Sequence, residues 1–468
     1  MSFEEVWQWL GPTLEYSMAI FAVLACIFFF FAVIKEKTAR RYGILSGISA
    51  IMVFVCLVTI SAGNTLQGTP ASSLMGTFQL TLGVIFIITG VVLIYFALDA
   101  KKIVNHDEAC YSTLLLVGIF FVIGVYLILN CVPVFFGNQT MSTWEDLVPS
   151  YSLMYPFPIG RVVTVIIPLT LYAIGVYTLK EMKSKTYETV IQQDEDKFQV
   201  TLSKLDLEIS RKIFHVIIIV VLVGYLFVGR IVMDSIYKFT LLGLPQAPNM
   251  PPGQEVYDNI IAGNGPIVGL LDFRAGHLLL VMAVSWIVVI LLFTDFVRIK
   301  KYRYYPFKML AKVYRDKERL VLAPHIYLTI GIFFTVVLSS AIDLFLNMPT
   351  GISAQIVMIS VMVSALADAV ATIVGITKGN RHLKGGKSKK TWEGWIAGFI
   401  AALILGLLSF MALMPQYGGT ISQAIIFALI AAGIFGLIDY LSPPISDNIL
   451  NPVAITLALW TVTLLFFI

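Results

Sequence analysis

Charged residues are scarce in this sequence, which excludes an ordinary soluble domain. Asp, Glu, Lys and Arg make up 13% of the 468 residues and hydrophobic residues 58%, whereas about a quarter of a soluble chain is usually charged. The four cysteines have no CxxC spacing, so they predict neither a disulfide framework nor a metal site. The N-terminal MSFEEVWQWL is acidic and lacks a small-residue cleavage signature, which argues against a cleaved signal peptide.

Long apolar stretches predict an all-α, polytopic transmembrane helical bundle. A helix that crosses the hydrocarbon core of a bilayer needs about 20 apolar residues, and about twelve stretches of the chain qualify. They lie near 12–34, 43–62, 77–98, 112–136, 161–179, 212–229, 276–294, 324–346, 352–377, 395–414, 421–440 and 452–468.

The basic residues predict how these spans are oriented. If the first span ends in the cytosol, five cytosolic connections hold 28 of the 32 Lys and Arg residues. They are 35–42, 99–111, 180–212, 295–323 and 378–394. Because cytosolic loops carry an excess of Lys and Arg, both termini are predicted to lie outside.

A polar segment, 181–210, divides the chain into two membrane regions. Residues 1–180 hold five predicted spans with few interior charges, and residues 211–468 hold seven. The first region offers no chemistry of its own. We interpret it as a packing or lipid-contacting extension; alternatively, it shapes a groove for a long apolar substrate.

The sixth predicted span begins with Arg211, Lys212 and His215. Their three- and four-residue spacing places all three side chains on one helical face. This face is a candidate catalytic site. The alternative is that both cations reach the membrane surface while the histidine is satisfied within its helix.

The stretch 298–319 interleaves basic residues with tyrosines. This pattern is typical of an amphipathic segment lying on an anionic membrane surface, although one of its cations could instead reach a nucleotide. Nucleic-acid binding is not expected, because the membrane topology already requires these basic residues.

Asp368 lies within an apolar stretch, ten residues before the next basic loop. In a continuous helix its carboxylate would lie about 15 Å below the membrane surface. Carboxylates at that depth face a wet cavity or a partner and are functional candidates; a buried pair with a loop cation is the alternative. Ala371 and Gly375 follow on the same face and leave room for a ligand or another helix.

The loop after this stretch is basic and contains two adjacent glycines. Its cations, with no acidic residue among them, are Lys378, Arg381, Lys384, Lys387, Lys389 and Lys390. The GGKS at 385–388 is not a P-loop, since the required first glycine is replaced by Arg381 and no strand precedes it. Instead, the loop leads into Thr391, Glu393 and Gly394 at a predicted helix N-terminus, where the helix dipole favours phosphate. Alternatively, these charges serve topology alone.

A third group, Asp439, Asp447 and Asn448, lies around the only internal cytosolic loop predicted to lack Lys and Arg. With Asp368, these side chains offer the oxygen ligands that Mg²⁺ prefers when it is shared with substrate phosphates. The alternative for Asp447 or Asn448 is to cap the last helix.

Four motifs in order, RKxxH at 211–215, DAxAxxVG at 368–375, KKTxEG at 389–394 and DNxxxP at 447–452, resemble the CTP-dependent polyprenol kinase family. This family includes dolichol kinase, phytol kinase and CTP-dependent diacylglycerol kinase. The resemblance covers about residues 205–455, and the extra N-terminal spans are similar to the longer dolichol kinases. It implies CTP binding by Asp368, Lys389, Lys390, Thr391 and Glu393.

Two features qualify the resemblance. Asp439 stands where relatives often carry Glu, which shortens the reach to a metal. The segment from Asp368 to Gly394 is also similar to CDP-diacylglycerol synthases, but their C-terminal KR, KD, GHGG and DR signature is missing. A cytidylyltransferase that makes a CDP-lipid is therefore the alternative function, together with a diacylglycerol or phytol kinase.

The resulting hypothesis is transfer of the γ-phosphate of CTP to the hydroxyl of a membrane polyprenol such as dolichol, which gives polyprenyl phosphate and CDP. Lys387, Lys389 and Lys390 would hold the triphosphate, and Asp368 with Asp447 or Asn448 would hold Mg²⁺. Arg211 and Lys212 would offset charge in the transition state; Asp368 or His215 would accept the proton. The active site is expected to face the cytosol from the plasma membrane or the endoplasmic reticulum.

Overall fold

The structure, a computed structural model, describes residues 3–35, 37–67, 72–104, 107–135, 275–305, 318, 320–346, 351–383 and 390–467. This part of the chain is helical. Its only β interaction is an isolated antiparallel bridge between His382 and Thr391.

Eleven α-helices account for most of the described chain. They are α1 (Phe3–Ile34), α2 (Ala39–Gln67), α3 (Ser72–Val104), α4 (Asp107–Phe135), α5 (Ala275–Lys300), α6 (Pro324–Leu346), α7 (Gly351–Met362), α8 (Asp368–Lys378), α9 (Trp392–Tyr417), α10 (Ile421–Leu441) and α11 (Asp447–Phe466). A 3₁₀ turn (Tyr302–Tyr304) follows α5, and a π turn (Val363–Ala367) joins α7 directly to α8.

Eight described helical segments are long and apolar enough to cross a bilayer, which confirms the prediction of an all-helical membrane protein. They are Val6–Ile34, Ala39–Ile60, Leu80–Lys102, Asp107–Leu129, Ile352–Lys378, Trp392–Pro415, Ile421–Leu441 and Asp447–Phe466. The predicted stretches 276–294 and 324–346 coincide with α5 and α6. Residues 136–274 lie outside the described residues. They include the predicted stretches at 161–179 and 212–229 and the polar segment 181–210.

Two hydrophobic cores share helices α7 and α11. One core joins α1, α3, α4, α5 and α6, with Phe86, Phe296 and Phe333 fully buried at its centre. The other joins α7 to α11 around Phe410, Phe435 and Trp460. Because α7 and α11 contribute to both cores, the N-terminal helices and the last five helices form one packed body.

Helices α6 and α11 approach closely along a seam of small and polar side chains. A Cβ on Gly331 would lie 2.7 Å from Cγ of Pro452, so only glycine fits this crossing. Deeper in the seam, the hydroxyl of Thr456 donates to Thr335 at 3.0 Å and the indole N–H of Trp460 donates to Ser339 at 3.0 Å. Such small residues and interhelical hydrogen bonds are the usual means of helix association in membranes.

Several helix ends meet at one end of the bundle, which we call the polar end. Here Lys300 of α5 pairs with Asp99 of α3, and Thr113 of α4 lies 3.0 Å from the hydroxyl of Tyr327 of α6. Phe29 of α1 also stacks on Phe293 of α5 with ring centroids 4.6 Å apart. These helix ends adjoin connections that the charge distribution predicts to lie in the cytosol, and the contacts bring them together.

A buried ion pair fixes the connection between α5 and α6 at the polar end. The guanidinium of Arg298 donates to both carboxylate oxygens of Asp295 and to the carbonyl of Glu318 at 2.9 Å. Asp295 in turn accepts from the backbone N–H of Ala323 at 3.0 Å. The prediction that segment 298–319 lies on the membrane surface is therefore wrong for its first residue, because Arg298 is fully engaged inside the protein. Most of the segment lies outside the described residues.

We expect Arg298→Met to destabilise the protein by about 3–5 kcal/mol, since it leaves the buried carboxylate of Asp295 without its counter-charge. The control is Lys300→Met, which breaks the partly exposed pair with Asp99 and should cost about 1 kcal/mol or less. Thermal unfolding of both variants in detergent measures the difference; equal losses would contradict this assignment.

Candidate functional site

A π turn places the carboxylate of Asp368 in the wall of the bundle. The turn spans Val363–Ala367, and Asp368 is the first residue of α8. A π turn adds one residue to a helical turn and is frequent at functional sites. Asp368 is 8% exposed, so it lies inside the protein.

The basic loop after α8 is closed at its base by the isolated antiparallel bridge. We call the bridged residues, 381–383 and 390–392, the neck. The N–H of Leu383 donates to the carbonyl of Lys390, and the N–H of Trp392 donates to the carbonyl of Arg381, both at 2.8 Å. The neck fixes the backbone of Lys390 beside the first turn of α9. The tip of the loop, with Lys384, Lys387 and Lys389, lies outside the described residues.

The side chain of Lys390 joins three separate segments of the chain. Its ammonium group lies 2.5 Å from Oδ1 of Asp439, at the end of α10, and 3.1 Å from Oδ2 of Asp447, at the start of α11. Asp439 is 7% exposed, whereas Lys390 and Asp447 are 33% and 35% exposed. The cluster therefore has a buried side and a side open to the polar end.

Three carboxyl groups act on this one lysine. Burial alone would lower the pKa of Lys390, but the carboxylates of Asp447 and Asp439 outweigh burial and hold the pKa above its ordinary value. Asp368 adds to the same effect. Lys390 is therefore positively charged at neutral pH, and the predicted residues Asp368, Lys390, Asp439 and Asp447 share one electrostatic environment.

The two predicted phosphate-binding side chains at the start of α9 have structural partners. Thr391 is the N-cap of α9 and accepts a hydrogen bond from the N–H of Gly394 at 3.3 Å. Glu393 accepts from the N–H of Arg381 at 3.3 Å, which ties α9 to the neck. Both residues help to hold Lys390 in place.

The predicted cofactor glycines, Gly375 and Gly394, lie where α8 crosses α9. A Cβ on Gly394 would come within 2.7 Å of the carbonyl oxygen of Ala371 and 2.9 Å of the Cα of Gly375. Of the two possibilities raised by the sequence for Gly375, the structure shows the approach of another helix.

The N-cap of α11 is neither Asp447 nor Asn448, the two residues that the sequence offered for that position. The N-cap is Ser446, whose side chain makes no capping hydrogen bond, so Asp447 lies in the first turn and its carboxylate contacts Lys390. Asn448 follows and is half-buried. Its backbone carbonyl oxygen would lie 3.3 Å from a Cβ on Gly331. The backbone N–H of Ser446 donates to the hydroxyl of Ser112 on α4 at 2.7 Å. No local sequence signal could reveal a contact between residues so far apart in the chain.

The carboxylates suit Mg²⁺ chemically but do not form a ready-made cage. Among the described residues, no three His, Cys, Asp or Glu side chains are arranged to hold a metal ion, and Lys390 lies between Asp439 and Asp447. Mg²⁺ sites of phosphate-transferring enzymes often use one or two carboxylates and complete their shell with substrate phosphates and water. Asp368 and Asp447, which both act on Lys390, carry carboxylates of that kind, and Asn448 carries an amide oxygen.

An aromatic group that the sequence analysis did not single out flanks the cluster. Trp392 is 40% exposed and packs near Trp395 and Tyr440, with ring centroids 5.6 and 6.2 Å away. The indole N–H of Trp395 donates to the carbonyl of Gly436 at 2.8 Å. Trp and Tyr at a span boundary are typical of the membrane interface, and that was the available signal.

The candidate catalytic residues Arg211, Lys212 and His215 lie outside the described residues, as do Lys387 and Lys389. No protein-family model, curated protein or solved structure matches this chain. The side chains at the polar end and the motif resemblance are therefore the two grounds for a proposed function.

We expect Gly394→Ala to destabilise the protein by about 1–3 kcal/mol, because the added methyl group forces two backbones apart. Gly433→Ala is the control, since a Cβ there meets no atom within 4 Å. Melting temperatures in detergent measure the effect; a Gly394→Ala variant as stable as Gly433→Ala would show that α8 and α9 do not cross here.

Proposed function

We propose that this protein is a lipid kinase that transfers the γ-phosphate of CTP to the hydroxyl of a membrane polyprenol of the dolichol type. The observation that supports it best is the meeting of Lys390 with Asp439 and Asp447, near Asp368, at the base of a basic loop. A cation for phosphate and carboxylates for a divalent metal are the two requirements of this chemistry. The choice of CTP and of a polyprenol rests on the family resemblance.

In the proposed reaction, the hydroxyl oxygen of the acceptor forms a bond to the γ-phosphorus of CTP. The bond from that phosphorus to the oxygen bridging the β- and γ-phosphates breaks, and CDP leaves with the electron pair. The hydroxyl proton passes to Asp368 or His215. Such transfers depend mainly on positioning and charge neutralisation.

Lys390 binds the triphosphate in this proposal, together with Lys387 and Lys389 of the loop tip. In the structure the ammonium of Lys390 is engaged by Asp439 and Asp447. When Lys390 turns to the phosphates, these carboxylates lose their counter-charge. Asp368, with Asp447 or Asn448, would hold Mg²⁺, whose bound charge neutralises the phosphate oxygens.

The surroundings of the cluster suit an acceptor that stays in the bilayer. Val370 and Ile373 of α8 and Ile396 of α9 are exposed apolar residues on membrane-crossing helices near the cluster. Trp392, which is 40% exposed, is the first residue of α9 and follows Lys390 by two positions. A polyprenol could therefore bring its terminal hydroxyl to the polar end without leaving the membrane.

The full proposal includes twelve spans, both termini outside and the polar end in the cytosol, within the plasma membrane or the endoplasmic reticulum. Its support is the charge distribution along the chain, which places nearly all Lys and Arg residues in connections on one side.

We expect Asp368→Asn to abolish turnover while the protein still inserts and folds. Asp99→Asn, which alters the carboxylate paired with Lys300 elsewhere at the polar end, is the control and should retain activity. Purified variants are incubated with labelled CTP, Mg²⁺ and a panel of prenols, diacylglycerol and phosphatidate. Normal activity of the Asp368→Asn protein would remove Asp368 from the mechanism.

The same panel separates the related activities by their products. A polyprenol kinase releases CDP and a monophosphorylated prenol, and a diacylglycerol or phytol kinase phosphorylates the corresponding alcohol. A cytidylyltransferase releases pyrophosphate and makes a CDP-lipid from phosphatidate. Only the first result supports the proposal.

We further expect Lys390→Met to bind Mn²⁺ about ten-fold more tightly than the wild type in the absence of nucleotide, because a positive charge beside two carboxylates is removed. The same variant should bind CTP more weakly. Lys300→Met uncovers the single carboxylate of Asp99 and should leave Mn²⁺ binding unchanged. Electron paramagnetic resonance of free Mn²⁺ measures binding; no gain in the Lys390→Met protein would contradict the role of Lys390.

A further inference from the structure

The N-terminus of α11, which carries Asp447, is completed by a residue from the N-terminal region. The first N–H groups of a helix have no partner within the helix. At α11 the N–H of the N-cap residue, Ser446, donates to the hydroxyl of Ser112 at 2.7 Å. Ser112 is fully buried and belongs to α4.

A comparison with α10 shows what Ser112 replaces. Helix α10 begins with its own capping box, in which the side chain of Gln423 accepts from the N–H of Thr420. The residue that would play the part of Gln423 in α11 is three positions after the N-cap, and it is Ile449, which has no acceptor. The hydroxyl of Ser112 performs this function from another helix.

The connection from α10 to α11 has few other hydrogen-bonding groups that could fix its position. It consists of residues 442–446, SPPIS, and its two prolines have no N–H to donate. Its first residue, Ser442, donates its hydroxyl to the carbonyl of Asp439 at 2.9 Å. The contact with Ser112 attaches this connection to α4 one residue before Asp447.

Ser112 is itself held rigidly. Its hydroxyl donates to the carbonyl of Glu108 at 2.6 Å, so its lone pairs point away from that carbonyl and towards Ser446. The next residue, Thr113, lies 3.0 Å from the hydroxyl of Tyr327 on α6. The bond to Glu108 within α4, and not the contact of Thr113 with α6, therefore orients the acceptor for Ser446.

We propose that Ser112 is a positioning residue: it fixes the first turn of α11 so that the carboxylate of Asp447 meets Lys390. The N-terminal region then completes the site instead of serving only as a membrane anchor. The effect of Ser112 on catalysis rests on the proposed kinase function, whereas its effect on Asp447 does not.

Three variants separate positioning from general stability. Ser112→Ala removes the acceptor, and Thr113→Val removes a neighbouring hydroxyl that bonds to Tyr327 and not to α11. Ser446→Ala keeps the N–H and removes a side chain that makes no capping bond. Ser112→Ala and Thr113→Val should both lower the melting temperature, and Ser446→Ala should not.

A double-mutant cycle with Asp447→Asn tests the inference without any substrate. Interacting residues give non-additive effects, whereas independent ones add. We expect Asp447→Asn to lower the melting temperature less in the Ser112→Ala background than in the wild type. Its effect should be unchanged in the Thr113→Val background. Additive shifts for Ser112→Ala would overturn the proposal.

Kinetics with CTP supply the second readout. We expect Ser112→Ala to lower kcat/KM roughly ten-fold, since small displacements of a site group are costly, and Thr113→Val and Ser446→Ala to retain wild-type values. Coupling to Asp447 without activity on any acceptor would reject the kinase and keep the positioning role. Wild-type kinetics in an active Ser112→Ala enzyme would reject Ser112 as a positioning residue for catalysis.

Discussion

The contact of one ammonium group with the carboxylates of Asp439 and Asp447 is the interaction on which the candidate site depends. Lys390 is supplied by the loop between α8 and α9, and the carboxylates by the ends of α10 and α11. These carboxylates would repel one another at the edge of a low-dielectric bundle without a cation between them. In the proposed function the same cation also binds phosphate, so one side chain would serve both stability and ligand binding.

The site also depends on the two cores beneath it. Helix α11 packs on α6 through the Gly331 and Pro452 contact and contributes to both cores. Its N-cap residue, Ser446, is held by Ser112 of α4, in the N-terminal region. The sequence divides into a plain membrane region and a chemical region, and α4 of the first region contacts Ser446, the residue before Asp447.

Periodicity and hydropathy predicted the helices well because the bilayer imposes both length and composition on each span. The residues around Asp368, Lys390 and Asp447 could be singled out because polar groups are rare in such a chain. The residues that these side chains and their helices contact could not be predicted from the sequence. Nothing local distinguishes Gly375 as a helix crossing from a ligand site, and the Ser112 contact depends on packing between distant segments. Arg298 was misjudged because its buried acceptor, Asp295, lies one turn earlier in a stretch that otherwise resembles a surface segment.

The π turn before Asp368 has a further consequence for how this chain tolerates change in length. Because the turn contains one residue more than an α-helical turn, deleting a single residue within Val363–Ala367 would convert the whole stretch from α7 to α8 into a regular α-helix. Each residue in such a helix advances the side chains by about 100°. The turn therefore absorbs the loss of one residue and keeps Asp368 in register with Lys390, whereas a one-residue deletion in a regular α-helix would rotate every side chain after it by that angle.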